Sequence, residues 1–133
     1  MESEPQAEPS TQTFERIARE ALASIPEPMA QHLTDVVLKV EDFATGEQLN
    51  SVGLYDKWQL TGLYEGRPVS EQSIWDPSDL PPVISLFRRP LLREWEQTGV
   101  ELDALIRHVV IHEAGHHFGF SDDDMHALED SAD

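Results

Sequence analysis

An α+β domain is the fold class this chain predicts, and three observations carry the prediction. A helical pattern, a group of short alternating runs and then further helical patterns follow one another, so helices and strands are segregated along the chain. The alternating runs are few and short, enough for a small twisted sheet of about three to four strands backed by helices. The longest helical pattern, over 101–118, places Leu102, Leu105, Ile106 and Val109 at the i, i+3, i+4, i+7 spacing of a helix that packs along one side.

Residues 14–23 form the first helical pattern, with Phe14, Ile17, Ala18, Ala21 and Leu22 on one side and Thr13 placed to cap it. Ile25-Pro26-Glu27-Pro28 ends it, because proline lacks a backbone donor and bars its predecessor from helical geometry. The clearest strand covers 34–43, with Val36, Leu38 and Val40 on one face and Val37 opposite. A short helical turn falls within 47–55, and a second strand over 60–65 closes at Gly66. The stretch 66–81, with Pro68, Pro77 and Pro81, reads as a surface loop, and a third strand follows over 82–87. Pro90 opens a helix over 91–97 that Gly99 stops. After the long helix, Ser121 caps a last short one, with Asp122 to Asp124 in its first turn.

The 133 residues suffice for one domain with a modest core. Residues 1–12, with Pro5, Pro9 and three glutamates, read as a disordered acidic tail, which assigns 13–133 to the folded domain. There is no cysteine, so any metal must be held by His, Asp or Glu. No run approaches the ~18–20 apolar residues that span a bilayer, and the acidic N-terminus lacks the basic start of a signal peptide. A cytoplasmic location without membrane contact is therefore expected. A net charge of −17 repels phosphate backbones, which argues against nucleic-acid partners. Arg88, Arg89 and Arg93 cluster in one segment and are expected to pair with this chain's own acids.

The chemistry concentrates at His112-Glu113-Ala114-Gly115-His116. Random placement of six histidines and fifteen glutamates would produce about 0.03 such H-E-x-x-H matches in this length. Context strengthens it: the inward stripe of 101–118, projected forward at about 100° per residue, brings His112, Glu113 and His116 onto nearly the same face. Positions four apart on a helix lie one above the other, so His112 and His116 form a chelating pair for zinc. Glu113 sits about 100° round the helix, suited to reach a water on the ion as a base and not as a ligand.

A catalytic zinc usually has three protein ligands and one open position. Candidates after His116 include His117, Asp122, Asp123, Asp124, His126 and Glu129. Gly119 favours a helix stop with a left-handed residue, after which the chain can fold back and present Asp122, with Asp123 and His126 as alternatives. His117, about 100° past His116, points away from the ion.

The run from Val110 to Asp124, V-I-H-E-A-G-H-H-F-G-F-S-D-D-D, resembles the signature of the small bacterial zincin-like metallopeptidases. Val40-Glu41-Asp42-Phe43, Gly62-Leu63-Tyr64-Glu65-Gly66 and Arg88-Arg89-Pro90-Leu91 resemble the same family in the expected order. The resemblance implies a minimal zincin fold, with a small twisted sheet, helices behind it and the active helix beneath. It also implies His112, His116 and Asp122 as metal ligands and Glu113 as catalytic base. Larger zincins often carry histidine at the last ligand position and a methionine turn; here that position is Asp122, and Met125 lies too close to it for such a turn.

The chemistry expected is metal-assisted hydrolysis of a peptide or protein substrate, with Glu113 moving the proton from water to the leaving amine. An edge strand beside the active helix, over 60–65, would take an extended peptide by strand addition. Tyr64 and Arg88 are candidates to stabilise an oxyanion, although packing for Tyr64 and pairing for Arg88 are the preferred readings. His108 is a candidate to support His112 from one turn away, although an exposed or core-edge residue is the preferred reading. The rival reading is a non-catalytic metal-binding or partner-binding module, against which the presence of Glu113 counts.

Overall fold

Helices and strands segregate as the pattern requires. A computed structural model describes residues 9–27, 29–66 and 81–119. They form α1 (Thr11–Ala23), β1 (Val37–Glu41), α2 (Gly46–Ser51), β2 (Gly62–Glu65), β3 (Val83–Phe87), α3 (Arg88–Thr98) and α4 (Leu102–His117). Two 3-10 turns, Met29–Leu33 and Lys57–Gln59, fall between them and were not expected from the pattern.

The strands form one sheet in the order β1-β3-β2, with β1 parallel and β2 antiparallel to β3. Strand alternation then sorts the side chains onto two faces. The cross-strand rows Val40–Leu86–Gly62 and Leu38–Ile84–Tyr64 lie on one face. That face looks onto α1 and α4, where Phe14, Ile17, Ala18 and Ala21 of α1 cluster with Leu102, Leu105, Ile106 and Val110 of α4. Phe14, Ile84, Leu86, Ile106 and Val110 are wholly buried there. On the opposite face Leu63 and Phe87 pack with Ala44, Leu49, Leu54 and Leu60 around α2 and the turn after it. The result is the mixed α+β architecture of a minimal zincin.

Local chemistry moves several boundaries. Ser10 caps α1, accepting from the Thr13 N–H at 3.2 Å. Thr13, expected as the cap, instead sits in the first turn and supplies the donor, so the helix starts three residues earlier than the apolar stripe indicated. β1 is shorter than the predicted 34–43 because its ladder with β3 runs only from Val37↔Val83 to Glu41↔Phe87. β2 and β3 each lie within their predicted ranges. α3 begins at Arg88, directly after β3, so Pro90 is its third residue and not its opener; none of the first four N–H groups has an intrahelical acceptor, so a missing donor there costs nothing. Gly99 closes α3 at φ 72°, its N–H bonded to the Trp95 carbonyl. The predicted loop over 66–81 and the last short helix lie almost wholly outside the described residues.

Candidate metal centre

α4 carries the site, and its two faces are set by packing. Leu102, Leu105, Ile106 and Val110 seat it on α1 and the sheet, while the last two turns run under β2. His112, Glu113 and His116 are all half-buried, at the margin of this contact. One donor atom from each of the three lies within 4.8 Å of the other two. The two imidazoles stand edge to face with ring centroids 5.0 Å apart, as the four-residue spacing requires. Two nitrogen donors and one carboxylate suit a borderline cation such as zinc, and among the described residues this is the group able to hold a metal ion.

The remaining sequence-derived candidates fall into three sets. Asp122 and its alternatives Asp123 and His126 lie outside the described residues. His108 stands one turn before His112, with ring centroids 6.2 Å apart. Tyr64 and Arg88 are engaged elsewhere. The Arg88 guanidinium binds the Asp42 carboxylate at 3.1 Å and the Pro9 carbonyl at 3.0 Å, tying the chain before α1 to the end of β1. Arg93 donates to the Trp58 carbonyl and lies over the Trp58 ring, so among the described residues it pairs with an aromatic group and not with an acid.

Two features of the site were not foreseen. Gly62 lets β2 approach α4 closely: a Cβ built there would collide with Val109 Cγ1 and lie 3.3 Å from the Ser85 carbonyl oxygen and 3.7 Å from Glu113 Cγ. Gly62→Ala therefore forces Val109, a β-branched side chain with little rotamer freedom, or the strand itself to move. A loss of about 1–3 kcal/mol is expected for such overpacking, read as a lower urea midpoint. Gly46→Ala, where an added Cβ meets nothing within 4 Å, serves as the control that should not lose stability. The sequence signal was a glycine inside a strand, which often marks close backbone approach.

The second feature is His117, which is 2% exposed. Its Nε2 lies 2.9 Å from the His32 carbonyl oxygen and its Nδ1 2.7 Å from Tyr64 Oη. A carbonyl can only accept, so Nε2 carries the proton, and Nδ1 accepts from the Tyr64 hydroxyl. Burial pushes the His117 pKa below its ordinary 6.5, against the raising influence of the His32 carbonyl and Asp35. Burial also pushes Tyr64 from 10.0 up to about 12.

Both shifts have stability consequences of definite sign. Below about pH 6.5 the unfolded chain takes up a proton at His117 that the native state resists, so this contribution is present above 6.5 and lost as pH falls. Above pH 10.0 the unfolded chain loses the Tyr64 proton that the native state keeps to about 12, so this contribution is lost as pH rises through that window. Urea midpoints measured across pH should fall on both sides of a neutral plateau. Tyr64→Phe should flatten the alkaline limb relative to wild type, and an unaltered limb would refute the assignment.

Among the described residues no helix is long and apolar enough to cross a membrane. No curated protein matches the chain. A family model described as zincin-like metallopeptidase matches residues 33–132, which include all three strands, α2, α3 and the whole of α4 with its histidine pair. That match covers most of the chain and falls on the elements that build the metal centre; the chain belongs to the zincin-like metallopeptidase family.

Proposed function

We propose that this protein is a zinc-dependent peptidase in which His112, His116 and Asp122 hold the ion and Glu113 is the general base. The observation that carries the reading is the convergence of His112, Glu113 and His116 within 4.8 Å on a helix seated under an edge strand. Zinc, when bound, supplies Lewis acidity that polarises a carbonyl and acidifies water. Glu113 takes the proton from the attacking water and returns it to the leaving amine. β2 pairs with β3 along one side only among the described residues, so its outer edge offers backbone groups to an extended peptide laid beside α4. Half-burial of the three side chains keeps them within reach of such a peptide while limiting the water around them.

The deciding experiment uses the full chain and a mixture of unstructured peptides. Zinc-loaded protein should cleave peptide bonds, chelation should abolish cleavage, and added zinc should restore it. Stoichiometric zinc uptake without any cleavage would overturn the enzymatic reading and leave a metal-binding module in its place.

A further inference from the structure

β2 and the last turns of α4 are held in step by two contacts. Gly62 and Tyr64 are alternate residues of β2 and share the face that looks onto α4. A Cβ at Gly62 would collide with Val109 and lie 3.7 Å from Glu113 Cγ, so bare strand backbone faces this part of α4, and Tyr64 meets His117 four residues beyond Glu113. Two residues of strand rise about 6.6–6.8 Å and four residues of helix about 6.0 Å, so strand and helix advance together and the two contacts fall in register. Glu113 and His117 thus form the seam under the strand. His112 and His116, one residue earlier in each case, are turned about 100° away from that seam.

His117 fixes the seam from a second side. Its Nε2–H donates to the carbonyl of His32, in the 3-10 turn Met29–Leu33, while Nδ1 accepts from Tyr64. Those partners lie 85 and 53 residues away in sequence, so the ring joins three parts of the chain that have no local reason to stay together. One tautomer, with the proton on Nε2, satisfies both bonds. A helix with side chains has a radius of about 5–6 Å, so a roll of about 10° would displace a ring nitrogen by about 1 Å. Misplacement on that scale is enough to cost about 10²-fold in a site that depends on alignment.

We propose that Tyr64 and His117 are positioning residues whose hydrogen-bonded latch, anchored on the His32 carbonyl, sets the roll of the last turn of α4 and thereby aims His116 at the metal. This rests on the metal-binding reading above. The latch touches neither substrate nor ion; it acts through the helix backbone that His117 shares with His116.

The test is metal affinity, measured on metal-stripped full-length protein by competition with a chromophoric chelator, together with the visible spectrum of the cobalt(II) form. Tyr64→Phe removes one hydroxyl and should leave the far-ultraviolet circular dichroism unchanged. It should weaken zinc binding about tenfold and alter the cobalt bands, the lower end of the range for lost support to a ligand. His117→Asn keeps an acceptor near the position of Nδ1 and should bind zinc more tightly than His117→Ala. Folded variants that lose thermal stability but keep wild-type zinc affinity and cobalt spectrum would overturn the positioning role and leave the metal site standing. Wild-type protein that takes up neither zinc nor cobalt would instead overturn the metal reading itself, and this inference with it.

Discussion

Glu113→Gln is expected to retain zinc and the fold while losing about 10²–10⁴-fold in kcat/KM, the usual weight of a positioned general base. The amide has nearly the volume of the carboxylate, so the half-buried position of this side chain on α4 is preserved. It cannot accept a proton at neutral pH, however, so the water proton has no local destination. Because the proton moves only as the reaction proceeds, the loss should appear mainly in kcat, with KM little changed. Steady-state kinetics on zinc-loaded wild type and variant, with bound metal measured in both, separates the outcomes. Undiminished cleavage by the variant would remove Glu113 from the chemistry. Loss of zinc from the variant would instead make Glu113 a ligand, an outcome its donor distance of within 4.8 Å from the two histidines keeps open to test.

Periodicity alone located much of this architecture. The stripe Leu102, Leu105, Ile106 became the buried face of α4 because a helix that packs against both α1 and a sheet needs an uninterrupted apolar side. Leu38 and Val40 fell on the inner face of β1 for the corresponding reason of period two. The sheet order was not legible: nothing in 37–41 or 83–87 records that β1 lies parallel to β3, since pairing is decided by how the connections and helices pack. The start of α1 was displaced because capping acts through single hydrogen bonds, and Ser10 in the flanking segment outweighed the apolar pattern.

The site divides along the same line. His112, Glu113 and His116 are close in sequence, and helical geometry alone brings them together. The Tyr64–His117–His32 connection joins positions far apart in sequence and becomes visible only when β2 is laid over α4. His117 was readable as pointing away from the ion, but not as a partner of Tyr64. Arg88 was expected to find an acid and does so in Asp42, whereas Arg93 settles on Trp58, because a planar guanidinium stacks on an aromatic face as readily as it pairs.

His116→Ala should abolish stoichiometric zinc binding under conditions that saturate wild type, and cleavage with it, while the protein stays folded. A four-ligand zinc site supplies about 10–16 kcal/mol, so one ligand's share is about 2.5–4 kcal/mol, or about 10²–10³-fold in affinity. The fold should survive because the core of α1, α3, α4 and the sheet is apolar and complete without His116, a half-buried residue. Alanine is also the better helix former in the last turn of α4. Thermal melts then provide a second readout. Excess zinc stabilises wild type by an amount that grows with its ratio to Kd, and this increment should vanish in His116→Ala while the metal-free melts nearly coincide. Asp122→Ala should shrink the same increment if Asp122 is the third ligand; an unchanged increment would transfer that role to Asp123 or His126. A metal-free wild type that is already unfolded would contradict the scheme in another way, because the ion would then be a structural requirement and not an occupant of a preformed catalytic site.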